Sequence, residues 1–442
     1  MNRLKDLENR IKRRDAKTAV VGLGYVGLPL LLLLSELGFE TVGIDKNSSK
    51  VQKLNKGILE FLKNNSKVKA LLKKSLKSKR FQISQDFSKI NDASLIFITV
   101  DTPIDNNKMP DHSTISSACA QIGKNLNKGS IVIIESTIAP KTTQNIIIPI
   151  IENNSNLRLN KDFFVAVCSE RIRPNQDVFK DMKKFPRVIG TSSSIINTPL
   201  KMIYRLITKG KIDTVDCLTA EVVKTAENAL RDVKIAFSNE VALLCEEINS
   251  DVWKVRELVN NRTGQNDMLM PGLGVGGHCL PKDPWLLLSS TKHLKTKLIR
   301  EARNTNDYMP MHTAKLIKDM FIKNKVNPKK AKVVVLGYSY IENCEDTRNS
   351  PSVDLINILK KTGTGKVLVH DPNVAAFNNN LYELARSSHC IVLTVKHNQF
   401  KNLDLKKLKK VMKTPLIFDC KNFLKKEKCQ DLDFKYYALG AL

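Results

Sequence analysis

Apolar residues arrive along this chain in two rhythms. Thr18–Val21, Thr41–Ile44, Ser94–Val100, Ser130–Ile134, Val165–Val167 and Arg187–Ile189 are short β-branched runs that predict buried strands, and Leu28–Gly38 predicts a helix between the first two. Strands alternating with helical stretches predict a parallel, doubly wound sheet, because parallel neighbours need a crossover connection. From Thr219 to about Ile248 the rhythm changes. Val222, Val223, Ala226, Leu230, Val233, Ala236, Phe237, Val241, Leu244 and Ile248 recur at helical spacing with no proline or glycine among them. This predicts a helix of about 30 residues, roughly 45 Å long. Such a helix reads as a spine between domains or as a surface for a second copy. A further helix is expected over Val252–Val259, then a glycine-rich loop, Pro271–Pro284. Past Lys329 the alternation restarts, with Val333–Leu336, Lys366–Val369, Ile391–Val395 and Leu416–Asp419 as strands and Ser352–Lys361 as a helix. The C-terminal part is thus expected to be a second, smaller α/β domain.

Composition narrows the function. The chain has 442 residues, 42% hydrophobic and 26% charged, which supplies several cores and excludes disorder as the main state. Lys+Arg is 72 against Asp+Glu 44, a formal charge of +28. A compact anionic ligand needs only a few cations, so most of this charge is assigned to solvated surface. Aromatics make up 6%, with two tryptophans, which leaves few stacking platforms and argues against a specific nucleic-acid partner. The nine cysteines (Cys119, Cys168, Cys217, Cys245, Cys279, Cys344, Cys390, Cys420 and Cys429) are scattered and never spaced C-x-x-C. No disulfide framework or metal site is expected, and a reducing compartment fits. The charged N-terminus lacks the apolar core of a signal peptide, and the apolar run Leu28–Leu34 is too short to span a bilayer. A soluble cytoplasmic protein with no membrane partner is expected.

Two segments carry chemistry. Gly22-x-Gly24-x-x-Gly27 follows a strand, opens a helix and is trailed by Asp45 at the end of the next strand. In that context the glycines form a pyrophosphate turn, and the acidic residue binds ribose hydroxyls and repels a 2′-phosphate, favouring NAD. In Gly274-Val-Gly276-Gly277-His278-Cys279-Leu-Pro-Lys282-Asp283, a cysteine follows three glycines with a cation and a carboxylate beside it. A substrate can approach such a loop, and nearby positive charge favours thiolate, so Cys279 is the candidate nucleophile. Lys224 and Asn228 share one helix face a turn apart. Glu135-Ser-Thr137 and Glu170 each follow a strand, where ligands of such sheets bind.

These residues resemble the UDP-glucose/GDP-mannose (nucleotide-sugar) 6-dehydrogenases from Lys17 to about Phe423. The likeness is strongest in GLGYVGLPL (Gly22–Leu30), EST (Glu135–Thr137), AEVVKTAENALRDVKIAFSNE (Ala220–Glu240), GVGGHCLPKDPW (Gly274–Trp285) and DTRNSP (Asp346–Pro351). The fold class it implies is α/β: two Rossmann-like doubly wound domains joined by a long central helix and a helical dimerisation core. The boundaries expected are 1–210 for NAD binding, 211–315 for the central dimerisation domain with the cysteine loop, and 316–442 for UDP-sugar binding. It implies oxidation of a sugar C6 alcohol to a uronate in two steps, with two NAD, in a homodimer or higher oligomer.

The resemblance also implies residue roles. Cys279 traps the aldehyde as a thiohemiacetal and then a thioester. Lys224 and Asn228 stabilise the oxyanion, Asp283 assists water or base chemistry, and Thr137 and Glu170 surround the reacting carbon. Gly22, Gly24, Tyr25, Val26, Gly27, Asp45, Thr102, Thr137, Lys282 and Arg348 bind NAD. Glu170, Arg171, Lys224, Asn228, Gly274, Gly276 and Gly277 bind the sugar nucleotide, and Arg262 reaches the partner subunit's site. Three departures stand out: Ser169 where relatives have Pro before Glu-Arg, Lys141 after Pro140 where they have Gly, and Ile341 where many have a substrate-contacting lysine. The cysteine-loop sequence looks most like members acting on UDP-N-acetylhexosamines, with UDP-N-acetylmannosamine first and UDP-N-acetylglucosamine and UDP-glucose behind. A single-oxidation hydroxyacid dehydrogenase and a basic nucleic-acid binder are the alternatives from other classes.

Overall fold

The computed structural model of the chain describes residues 2–62, 65–173, 175–262, 267–291 and 294–441. They fall into two compact units, one running to Ala226 with a return segment from Trp285, the other holding Glu227–Pro284 and the rest of the chain.

The first unit is built on eight strands: β1 (Lys17–Val21), β2 (Glu40–Ile44), β3 (Phe81–Ser84), β4 (Leu95–Ile98), β5 (Ile131–Ile134), β6 (Phe164–Val167), β7 (Arg187–Thr191) and β8 (Ile212–Asp216). Their order is β3-β2-β1-β4-β5-β6-β7-β8. Alternate residues of β1 feed opposite cores, Val20 into one cluster and Ala19 and Val21 into the other. Burial on both faces is why these strands read as continuous apolar runs. The helix Gly27–Glu36 buries Leu28 and Leu30–Leu34 against one face. The order reverses between β1 and β4, so the crevice beyond their C-terminal ends is where a doubly wound sheet takes its ligand.

One expectation needs correcting. The sheet is not wholly parallel: β7 runs antiparallel to β6, with Ala166 opposite Thr191 and Val167 opposite Gly190. Among the described residues, the connection between them holds only the seven-residue helix Val178–Lys184 and does not carry the chain back over the sheet, so β7 starts from the end where β6 stops.

The helix expected from Thr219 is Cys217–Glu247, 31 residues, and the unit boundary falls inside it. In the second unit it packs on Leu298–Lys323, a 26-residue helix with Pro310 in its interior. Their contact is a buried polar ladder. Arg303 pairs with Asp232 at 2.6 Å, Asn306 donates to Asp232 at 2.9 Å, and Asn239 donates to Asn306 at 2.9 Å. The rest of the unit is a five-stranded parallel sheet: β9 (Lys332–Leu336), β10 (Lys366–His370), β11 (Cys390–Leu393), β12 (Leu416–Asp419) and β13 (Lys435–Ala438), in the order β10-β9-β11-β12-β13. Both sheets are therefore doubly wound. On the long helix Leu230, Phe237 and Leu244, at every seventh position, are 59%, 57% and 58% exposed in the single chain.

Candidate active site

The turn after β1 uses its three glycines differently. Gly22 has φ +98°, and a Cβ there would stand 2.9 Å from the Thr99 carbonyl. A Cβ on Gly27 would meet the Gly22 carbonyl oxygen at 1.9 Å, so only glycine lets the helix start so close to the strand. Gly24 has nothing within 4 Å of its Cβ position, which leaves its backbone open to a pyrophosphate. Among the described residues no side chain caps the helix at Val26, although Leu28 N already donates to the Gly24 carbonyl at 3.2 Å and Pro29 has no N–H. Tyr25 stacks on Phe61 at 5.0 Å. Asp45, just past β2, is buried and fixed: Oδ2 accepts from Leu23 N at 2.9 Å and lies 2.6 Å from Lys50 Nζ, and Oδ1 accepts from Asn47 N at 2.9 Å. An open glycine cradle with a rigid carboxylate at the ribose position fits NAD.

Beyond β4 and β5, the Thr102 hydroxyl donates to the Thr137 carbonyl at 2.6 Å, tying the two strand-end loops together. Glu170 is buried. Its Oε2 pairs with Arg187 at 2.6 Å and its Oε1 accepts from Arg171 N at 2.6 Å. The Arg171 guanidinium donates to the Pro186 carbonyl at 2.7 Å. Glu135 completes this set, accepting the Tyr204 hydroxyl at 2.5 Å.

In the second unit the cysteine loop is held by the loop that follows β9. Gly277 N donates to the Arg348 carbonyl at 3.0 Å, and Asn349 Nδ2 donates to the Gly277 carbonyl at 3.0 Å. Cβ atoms on Gly276 and Gly277 would strike Tyr340 at 2.7 and 2.6 Å, so the glycines are required by this packing. Gly274 has φ +108°, with the Asn306 carbonyl 2.4 Å from its Cβ position. Arg348 itself pairs with Asp346, Nη2 to Oδ2 at 2.6 Å. The Cys279 carbonyl accepts Lys282 N at 3.0 Å and Asp283 N at 2.8 Å, turning the chain into the helix Asp283–Ser289. Asp283 is fully buried, accepts Asn228 Nδ2 at 2.5 Å and lies 3.3 Å from Lys282 Nζ. Lys224 stands one turn before Asn228 on the long helix, half-buried. Arg262 follows the helix Val252–Asn261 and is exposed.

Cys279 is the exposed member of the nine cysteines; Cys217 is half-buried and the other seven are buried. Burial pushes the Cys119 thiol up to about 12 and that of Cys429 to about 11, so those sulfurs stay protonated.

Arg187, Tyr204 and Tyr340 were not legible as site residues. Arg187 opens one of the short predicted strands with no motif around it, while Tyr204 and Tyr340 carry no spacing signal. Only the fold shows that they pack on Glu170, Glu135 and the cysteine loop.

A doubly wound dinucleotide cradle, together with an exposed cysteine on a glycine loop, defines a dinucleotide-dependent dehydrogenase. Known proteins give the family. Residues 16–208 match the NAD binding domain of the UDP-glucose/GDP-mannose dehydrogenase family, 218–308 its central domain and 334–426 its UDP binding domain. The UDP-N-acetyl-D-mannosamine dehydrogenase of Pyrococcus horikoshii is 34% identical over 409 residues, 92% of this chain and 96% of that protein. The UDP-N-acetyl-D-glucosamine 6-dehydrogenase of Pseudomonas aeruginosa is 34% identical over 431 residues, 94% and 99% of the two chains. A solved structure of the Pyrococcus horikoshii enzyme superposes with a TM-score of 0.90 at 34% identity, covering 96% of this chain and 99% of that one. The chain belongs to the UDP-glucose/GDP-mannose dehydrogenase family and is an NAD-dependent nucleotide-sugar dehydrogenase. Among the described residues, no helix is long and apolar enough to cross a membrane.

Proposed function

We propose that this dehydrogenase oxidises the C6 alcohol of UDP-N-acetyl-D-mannosamine to the carboxylate, through a covalent intermediate on Cys279. The observation that carries the covalent route is the exposure of Cys279 on a loop whose next turn buries Asp283 against Asn228 and Lys282. The choice of sugar rests on the names of the relatives.

The turn Gly22–Gly27 and Asp45 would hold NAD, which would supply the hydride acceptor for each oxidation. The chain's own residues do the rest. The Cys279 thiolate adds to the C6 aldehyde left by the first oxidation and holds it as a thiohemiacetal; the second oxidation leaves a thioester. Lys224 and Asn228 stabilise the oxyanion, and each such donor is commonly worth about 10²–10³ in rate. Asp283 keeps Asn228 oriented and assists proton transfer, Thr137 lines the reacting carbon, and Glu170 orients the water that hydrolyses the thioester. Arg348 and Lys282 serve the cofactor. Arg171, Gly274, Gly276 and Gly277 serve the sugar nucleotide.

The exposed row Leu230, Phe237 and Leu244 is the surface on which we place a second copy, with Arg262 completing the neighbour's site. The division into 1–210, 211–315 and 316–442, and a cytoplasmic setting, belong to the same reading.

The test is a panel of nucleotide sugars with NAD, followed at the nicotinamide absorbance. UDP-N-acetyl-D-mannosamine is expected to give the highest kcat/KM and two NADH per sugar, and Cys279→Ala almost no uronate. Two NADH per sugar from Cys279→Ala would refute the covalent route, and one NADH from the unaltered enzyme would return a single-oxidation dehydrogenase.

A further inference from the structure

Arg187, at the first position of β7, is a buried cation between two carboxylates. Its side chain is 1% exposed, with Nη2 2.6 Å from Glu170 Oε2 and Nη1 3.8 Å from Glu135 Oε2. Taking three charged groups out of water is costly unless each is fully paired. Here the pairing is lopsided. Among the described residues, Glu135 Oε2 and Arg187 Nε and Nη1 have no hydrogen-bond partner, while Glu170 has the short contact. The guanidinium therefore serves Glu170 first and leaves Glu135 a distant competitor.

We propose that Arg187 is a positioning residue for Glu170, and that Glu135 tunes Glu170 by competing for the same guanidinium. The proposal rests on the reading of Glu170 as the carboxylate that activates water on the thioester. In that step Glu170 takes a proton from water as the water oxygen bonds to the thioester carbon. The C–S bond then breaks, its electron pair leaves on Cys279 Sγ, and the sugar acid departs and ionises. No oxidant or reductant enters.

The geometry supplies the two things this step needs. Oε2 is held by Arg187 and Oε1 by Arg171 N, so the carboxylate plane is fixed. How firmly Arg187 holds it depends on Glu135. Glu135, at the end of β5, faces Arg187 on β7, Glu170 and Cys168 beyond β6, and Tyr204 on the helix Asn197–Ile207. Burial pushes the Glu135 carboxyl up to about 7, Arg187 offsets this only in part, and Glu170 adds to it. Once Glu135 ionises, Arg187 is shared between the two carboxylates and a new negative charge faces Glu170. The pH profile of hydrolysis is therefore expected to inflect near neutrality, where Glu135 titrates.

The experiment uses the full-length enzyme with NAD and UDP-N-acetyl-D-mannosamine, with intact mass reporting the acyl adduct on Cys279. Glu170→Gln is expected to accumulate the adduct. Arg187→Lys is expected to accumulate it as well, lowering kcat about 10- to 100-fold with KM little changed, the scale of a slightly misplaced catalytic group. Glu135→Gln is expected to remove the neutral inflection from the pH profile of adduct breakdown. If Glu170→Gln traps the adduct but neither Arg187→Lys nor Glu135→Gln alters its breakdown, the positioning role is overturned and the reading of Glu170 survives. If Glu170→Gln traps no adduct, the reading itself fails and the proposal with it. Should Arg187→Lys not fold, the pH profile of Glu135→Gln decides alone.

Discussion

Each α/β unit buries a carboxylate at a strand end, and the two are treated in opposite ways. In the first unit burial pushes Glu135 up to about 7; Arg187 offsets this in part, Glu170 opposes the offset, and the Tyr204 hydroxyl is its hydrogen-bond donor. In the second, burial would also push Asp371 up, but His397 and the N–H groups of Ser339 and Tyr338 outweigh it and hold the carboxyl at about 2. Asp371 Oδ2 accepts Tyr338 N at 2.7 Å and Ser339 N at 2.9 Å, and lies 3.1 Å from His397 Nε2. The difference teaches that burial alone does not decide a carboxylate's state. Donors converging on one carboxylate keep it ionised and lock the turn after β9; one cation shared by two carboxylates leaves the second poised to titrate.

The strongest way to break this comparison is to remove the shared cation. Arg187→Met leaves two buried carboxylates unpaired and is expected to cost about 3–5 kcal/mol, read by guanidinium denaturation. A cost below about 1 kcal/mol would show that the carboxylates were already neutral. Asp371→Asn keeps the shape but loses the charge that two N–H groups and His397 serve. The expected cost is about 2 kcal/mol, and an unchanged midpoint of unfolding would place the stability of that turn elsewhere.

The smallest effect is on pH dependence. Glu135 is raised above its ordinary 4.5, so the folded state binds more protons than the unfolded one between about 4.5 and 7. Its contribution is fully present below that window and is lost as pH rises through it. Asp371 is depressed from 3.8 to about 2, so its contribution is present above about 4 and lost as pH falls toward 2. Between pH 8 and 5 the melting temperature of the unaltered chain should therefore gain about 2 °C over that of Glu135→Gln. Parallel curves would mean that Glu135 does not titrate there.

The strands read from sequence are mostly those buried on both faces. β3, β8 and β13 escaped notice, and each is a sheet edge. An edge strand is half solvated, so it shows mixed positions such as the Phe-Gln-Ile-Ser of β3 rather than an apolar run. The helix Leu298–Lys323 escaped for a related reason: Arg303, Asn306 and Pro310 all lie on its buried face and break the apolar period. At the site, the glycine turn and the cysteine loop were legible because their glycines stand in contiguous order, and Asp45 because it closes the strand that follows.

The sequence by itself determined what depends on neighbours along the chain: two strand–turn–helix units, the long helix, the NAD fingerprint and the one cysteine in a loop with nothing to bury it. Only the tertiary structure decided what depends on distant segments meeting. It turned β7 against β6, set Tyr340 on Gly276 and Gly277, joined Asn228 to Asp283 across 55 positions, and placed Arg187 between Glu135 and Glu170. The strength of a charge in a buried site is fixed by which partners converge on it, and partners that far apart leave no periodicity in the chain to read.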